Sequence, residues 1–262
     1  MRVLLHPGFH KTGTSSLQRG AIAQTDALAP YLRVLLGTDM ISATRAARRY
    51  SKHQSQVNLM RFSEHFHTAI SALAPNDPRA VLISCEDLSG YMPGLCDVDT
   101  FDAAPSLMLA ASAALQAHFG EAVQIMIRFG TRDSAKWLKS LYWQNLRARR
   151  LTDDFDTFRQ RFARAADLDR IVASTGDLLG TEVDVGAIAL ETGAGLRLGP
   201  LEVALDLLNI PTASLPPLRA QNRQPADGAE ALLALNCSDL DDAALKDAKR
   251  DLVRSYRRHL QP

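Results

Sequence analysis

Cysteine is scarce in this chain of 262 residues: Cys85, Cys96 and Cys237 are the three present, and none belongs to a CxxC pair or a ligand-spaced cluster. A disulfide framework is therefore not expected, and a reducing cytoplasm is the simplest setting. Long apolar runs are missing too. No segment approaches the roughly 18 consecutive apolar residues of a membrane span, and the opening MRVLLHPG has too short an apolar run before His6 and Pro7 for the core of a secretory signal. Charge of one sign is also lacking. Thirty Lys and Arg meet 29 Asp and Glu, leaving a net charge of +1, so no global field recruits nucleic acid or an anionic membrane. There is no Pro-, Gly- or Ser-rich linker, no internal repeat and no low-complexity tract, so residues 1–262 read as one domain. Hydrophobic residues at 46% and charged residues at 23% are ordinary values for a soluble globular protein.

What is present is concentrated first in RVLLHPGFHKTGTSSLQ, Arg2 to Gln18. Val3, Leu4 and Leu5 supply a buried strand, Pro7 and Gly8 end it, and Thr14 starts a helix whose free N–H groups and dipole favour an anion. Gly8 and Gly13 have the separation of a phosphate loop of the form GxxxxGK[ST]. The lysine of that motif is displaced. Thr14 follows the second glycine, and the loop's lysine, Lys11, lies inside it. A lysine after the second glycine spans the β- and γ-phosphates of a nucleoside triphosphate, whereas an in-loop lysine best serves a shorter group such as a phosphosulfate.

On these residues the chain resembles the sulfotransferases that use 3′-phosphoadenosine-5′-phosphosulfate (PAPS), whose 5′-phosphosulfate loop reads roughly PK[ST]GT[ST]. The matching residues are His10, Lys11, Thr12, Gly13, Thr14, Ser15 and Ser16, with His where many members carry Pro. A second stretch extends the resemblance. VQIMIRFGT, Val123 to Thr131, reads as a strand feeding the helical run RDSAKWLKSLYWQNLRARR, in which Arg132 and Ser140 stand eight residues apart. The family's 3′-phosphate motif has this shape, an Arg at a strand end and a Ser on the following helix. Eight residues is a little over two helical turns, which returns the hydroxyl to nearly the face of the helix start. A guanidinium fork and a hydroxyl are both phosphate donors. Trp137, Leu138, Leu141, Tyr142 and Gln144 also resemble bacterial members. Arg128 is the competing cation, read as a strand residue or a substrate contact.

Between the two motifs, AVLISCEDLSGY (Ala80 to Tyr91) is an apolar strand ending in Ser84, Cys85, Glu86 and Asp87. Ligands sit outside the carboxyl ends of parallel strands, so Glu86 shares a crevice with Lys11 if both strands lie in one sheet. A carboxylate there can take the proton of a hydroxyl or amine acceptor, which makes Glu86 the candidate base. Animal cytosolic members of the family use His for this step, while heparan-type and many bacterial members use Glu. Two other readings stand beside it: Glu86 and Asp87 as a strand end or helix cap, and the pair as a magnesium site of Walker B type.

The remaining sequence reads mainly as helix: Thr14 to Leu28, Val57 to Leu73, Pro105 to Phe119 with Gly120 as its stop, Phe155 to Ala166, Leu168 to Ser174, Pro200 to Leu208, Ala226 to Leu235 and Asp241 to Leu260. Thr181 to Leu190 is expected to hold another strand pair. Strands alternating with helices predict an α/β fold with a doubly wound parallel sheet of P-loop type and a helical C-terminal half. The basic clusters Arg45, Arg48, Arg49, Lys52 and Arg147, Arg149, Arg150 read first as solvated helix faces. If functional, they suit an acidic acceptor or the cofactor's phosphates. His65 and His67, two apart on a helix, point to different faces and do not make a metal site. His10, unlike His6, is a plausible neighbour of the cofactor.

The resemblance implies transfer of the sulfuryl group of PAPS to a hydroxyl or amine of an unidentified small-molecule, lipid or saccharide acceptor, without a metal. It assigns backbone N–H groups from Lys11 to Ser16 to the 5′-phosphate, Lys11 to the bridging oxygen, and Arg132 and Ser140 to the 3′-phosphate. The Asn-containing segment Leu218 to Asn236 is similar to one in bacterial members, and the Arg-Lys-Gly segment of animal members is missing. Arg219 and Arg223 are candidates to replace it. The rival readings are a P-loop kinase or NTPase using ATP with magnesium, and a non-catalytic nucleotide-binding protein of the same fold.

Overall fold

The computed structural model describes residues 1–218 and 228–259. In chain order the first elements are β1 (Arg2–His6), α1 (Thr14–Ala23), α2 (Thr25–Leu28), β2 (Leu32–Leu36), α3 (Ile41–His53), α4 (Gln56–Ile70), β3 (Ala80–Ser84), α5 (Ala104–Phe119) and β4 (Gln124–Thr131). Then follow α6 (Ser134–Ala148), α7 (Phe155–Arg161), α8 (Leu168–Leu179), β5 (Asp184–Ala189), α9 (Leu190–Gly193), α10 (Pro200–Leu207), α11 (Gly228–Asn236) and α12 (Asp242–His259). The contacts divide the chain into two compact units, Met1–Arg132 with Asp167–Ala220, and Asp133–Ala166 with Gln221–Pro262.

The first unit is α/β. Its five strands form an all-parallel sheet in the order β2-β3-β1-β4-β5. β1 is central, with His6 opposite Ser84 of β3 on one side and Leu5 opposite Ile127 of β4 on the other. Val3, Leu4, Leu5, Leu82, Ile83 and Ile127 are all fully buried, because a parallel strand covered on both faces has no solvent side and is apolar throughout. On one face, Leu4 and Leu82 pack with Leu17 and Ala21 of α1 and with Leu201, Ala204 and Leu205 of α10. This cluster fixes α1 against the strand that precedes it.

The helix expected over Thr14 to Leu28 is interrupted. Gln24, with φ −108°, separates α1 from α2, and its side-chain amide donates to the Pro216 carbonyl at 2.8 Å. Thr181 to Leu190 contains the single strand β5, preceded by a turn at Gly180–Glu182, rather than a strand pair. β5 is an edge strand that pairs only with β4. β2 and α3 were not among the expected elements. Of the late segment, Arg219 and Arg223 lie outside the described residues.

The second unit holds α6, α7, α11 and α12. α6 and α7 start on side-chain caps: Asp133 accepts from the Lys136 amide and Asp154 from the Thr157 amide, each replacing an intrahelical acceptor that the first turn lacks. Trp143 closes over Gly228, where any Cβ would come within 2.4 Å of the indole ring. Among the described residues no helix is long and apolar enough to cross a membrane.

Candidate functional site

The loop between β1 and α1 is held in shape by its own side chains. Phe9 points inward, fully buried, with its ring 4.8 Å from Phe129 and 4.7 Å from Phe101. Removing one such ring from water is worth about 1.5–3 kcal/mol, enough to anchor a short loop. The Thr12 hydroxyl donates to the Phe9 carbonyl at 2.6 Å, and the Ser89 hydroxyl donates to the Gly8 carbonyl at 2.7 Å.

Three residues of this loop have left-handed backbones: Gly8 (φ 56°), Lys11 (φ 73°) and Gly13 (φ 97°). The conformation suits glycine, but at a lysine it costs free energy. Left-handed residues set beside right-handed ones are the element of backbone concavities that bind anions. At Gly8 a Cβ would lie 2.4 Å from Thr14 Oγ1, so only glycine lets the loop fold over the start of α1. The helix itself is bare at this end. Gly13 offers no side-chain cap, the first turn holds no acidic residue, and the buried Thr14 Oγ1 has no hydrogen-bond partner among the described residues. An anion at this point would satisfy all three features.

Glu86 stands beside the loop. β1 and β3 are neighbours, so the chain leaving Ser84 passes the chain leaving His6, and the Cys85 amide donates to the His6 carbonyl at 3.1 Å. A single 3-10 turn, Glu86–Ser89, follows. Gln18, one turn into α1, donates from Nε2 to Glu86 Oε2 at 3.2 Å and to the Ser84 carbonyl at 3.1 Å. The half-buried carboxylate is thereby oriented by the helix that follows the loop.

Asp87 is committed elsewhere. Its carboxylate lies 3.3 Å from His10 Nε2 and 3.4 Å from Arg48 Nη1. Burial raises its pKa, but the His10 hydrogen bond and the charges of His10 and Arg48 outweigh this and hold the group below the usual carboxylate range. His10 also stacks on Phe101, with ring centroids 6.1 Å apart.

Arg132, at the end of β4, places Nη1 3.4 Å from the Lys11 carbonyl, and its buried Nε has no partner among the described residues. Lys11, Glu86 and Arg132 thus come from the carboxyl ends of three adjacent strands, β1, β3 and β4. Ser140 is a buried residue of α6, in the second unit. Ser15 is exposed and Ser16 half-buried; the Ser16 amide already donates to the Gly13 carbonyl at 2.8 Å, which leaves its hydroxyl as the available donor.

Other candidates resolve into structural roles. Arg128 is clamped on Asp184 of the neighbouring strand, Nη2 to Oδ2 at 2.5 Å, across Gly186, where a Cβ would stand 3.4 Å from Arg128 Nε. It is a strand residue. His6 is buried against the Ser84 hydroxyl, and burial lowers its pKa to about 4. Burial, reinforced by Asp87 and Glu86, pushes the Cys85 thiol up to about 12, so it is not a nucleophile near neutrality. His65 and His67 are exposed on α4. Among the described residues no group of three or more His, Cys, Asp or Glu could hold a metal ion. Gln18 and Ser89 were not singled out from sequence, and Arg48 was named only as part of a basic cluster; Gln18 at i+4 from Thr14 on one helix face was the available signal.

Comparison with protein-family models, curated proteins and solved structures yields no match for this chain.

Proposed function

We propose that this chain is a PAPS-dependent sulfotransferase of P-loop type, transferring a sulfuryl group to a hydroxyl or amine of a small-molecule, lipid or saccharide acceptor. The observation that carries the reading is the anion-ready loop holding Lys11 in a left-handed backbone, with the Glu86 carboxylate fixed beside it by Gln18. When bound, the phosphosulfate supplies a sulfuryl group activated for in-line displacement, its S–O bond breaking as the acceptor atom bonds to sulfur.

The residues divide the work. Amides at the turn into α1, with the hydroxyls of Thr14, Ser15 and Ser16, would hold the 5′-phosphate. Lys11 would stabilise negative charge growing on the bridging oxygen, an electrostatic role worth about 2.7–4 kcal/mol for one well-placed donor. Glu86 would accept the acceptor's proton. Arg132 would pair with the 3′-phosphate through its guanidinium fork. The resemblance adds Ser140 as a donor to the same phosphate, an expectation that Ser140→Ala tests separately. Thr12 acts through the loop, since its hydroxyl proton is engaged by Phe9.

Against a kinase or NTPase stands the engagement of Asp87 by His10 and Arg48, which removes the second carboxylate of a magnesium pair. The free thiols Cys85, Cys96 and Cys237 suit a reducing cytoplasm.

Calorimetric titration with 3′-phosphoadenosine-5′-phosphate, AMP and ATP with magnesium tests the reading. Binding of the bisphosphate alone, weakened by Arg132→Ala, is the expected result. Preference for ATP with magnesium, or no nucleotide binding, overturns it. Bisphosphate binding without transfer to any acceptor in a broad screen would mark a non-catalytic protein of this fold.

A further inference from the structure

The second unit contains a cavity of about 630 Å³ where the C-terminal end of α6 meets α12. Seven basic side chains line it against one acidic residue, Asp242. Several of the cations are fixed in place. Lys249 is only 7% exposed, and its ammonium donates to the Arg149 carbonyl at 2.8 Å. Arg149 Nε donates to the fully buried Asn145 at 3.1 Å. Arg150 donates to the carbonyls of Ser238 and Leu240. Burial, then the neighbouring Arg150 charge, lowers the pKa of Lys249.

A purely structural account assigns these groups to the carbonyls at the end of α6, where cations are favoured. That account explains Lys249 and Arg150, whose protons go to carbonyls. It does not account for Lys246, Arg250 and Arg254 around the same space, which they share with Arg147, a donor to Gln144 Oε1 at 3.4 Å. Arg250 and Arg254 do pair with Asp247 and Asp251 on their own helix, but at exposed sites where such pairs contribute little.

We propose that this cavity is a binding site for a compact polyanion, a small molecule carrying two or more phosphate or sulfate groups. Charge selects the oxyanion class, which guanidinium and ammonium groups both bind. The volume exceeds that of one phosphate and falls within the range of small-molecule pockets, about 300–1,000 Å³.

Calorimetric titration of the full chain with tripolyphosphate and with a trisulfated disaccharide tests the proposal. Lys11→Ala with Arg132→Ala serves as the parent, which weakens probe binding at the loop between β1 and α1 and leaves any remainder common to both proteins compared. The expected result is one salt-sensitive site, weakened about tenfold or more when Arg147→Ala and Lys246→Ala are added, with the unliganded melting temperature unchanged. Lys249→Met, which retains the aliphatic stem, should weaken binding similarly. Tighter binding of tripolyphosphate would place the natural ligand among phosphate esters, and tighter binding of the disaccharide among sulfated sugars. Absence of binding by both probes, or equal affinity in the parent and in the parent with Arg147→Ala and Lys246→Ala added, overturns the proposal.

Discussion

Gln18 and Glu86, 68 residues apart in sequence, are joined by a 3.2 Å hydrogen bond that connects α1 to the turn that follows β3. The same amide also donates to the Ser84 carbonyl, so it cannot turn away without losing two acceptors. A hydrogen bond to a charged group contributes about 1.5–3 kcal/mol. Gln18→Leu should therefore lower acceptor-dependent turnover about tenfold or more while nucleotide affinity stays near the wild-type value. Equal turnover in the two proteins would dismiss the positioning role, and Glu86→Gln in parallel would show the full loss of the base.

Lys11 combines a catalytic assignment with an unfavourable backbone, φ 73°. Glycine at this position relieves a cost of about 1 kcal/mol. Lys11→Gly is expected to raise the melting temperature by about 2–4 °C and to reduce turnover roughly a hundredfold or more. Thermal unfolding and steady-state rates on one preparation check both directions, and unchanged turnover would contradict the assigned role.

Gly130 faces the loop from β4. A Cβ there would stand 2.6 Å from Thr12 Oγ1 and 3.3 Å from Thr12 Cβ. Overpacking of this kind costs about 1–3 kcal/mol. Because Thr12 ties the loop together through Phe9, Gly130→Ala should weaken bisphosphate binding about tenfold along with stability. Adding Thr12→Ala opens the space and should recover part of the stability but not the loop order. A Gly130→Ala protein with native affinity would show that the loop tolerates the displacement.

His6 gives stability a pH dependence of its own. Its folded pKa of about 4 lies below the ordinary 6.5, because burial disfavours the charged ring. Between these values the unfolded chain binds the proton and the folded chain does not. The contribution is intact above pH 6.5 and is lost as pH falls toward 4, by about 3 kcal/mol at most. Asp77, lowered to about 2 by its Arg79 hydrogen bonds, loses its contribution only below about 3.8. Denaturant unfolding from pH 7.5 to 4.5 should show the decline in wild type and a flatter profile in His6→Asn. Parallel profiles would remove His6 as the cause.

The central strands were legible because β1 and β3 carry unbroken apolar runs followed by Pro-Gly or acidic residues, and β4 carries Ile125, Met126 and Ile127 before its single Arg128. β2 was not, since it is an edge strand with the exposed Arg33 between Leu32 and Val34. α3 escaped for a related reason: its buried face is built from Ala43, Ala46, Ala47 and Tyr50, set among Arg45, Arg48, Arg49 and Lys52, so that charge dominates the pattern. The loop residues were readable as a local motif. Their supports were not, because Gln18 with Glu86, His10 with Asp87 and Arg128 with Asp184 are pairings across the sheet, set by register rather than by spacing along the chain. The break at Gln24 depends on a carbonyl 192 residues away.

Residue 3 of the central strand meets residue 81 on one side and residue 125 on the other. Both pairings close very long loops, and parallel pairing of this kind slows folding because chain entropy is spent before the contacts repay it. During synthesis, β1 has no neighbour until β3 has left the ribosome, and only one until β4 follows. Until then Val3, Leu4 and Leu5 are an unpaired apolar segment, the kind that chaperones retain and that associates with other chains. The geometry that gives Lys11 its place thus waits on strands that follow it by many residues in the chain.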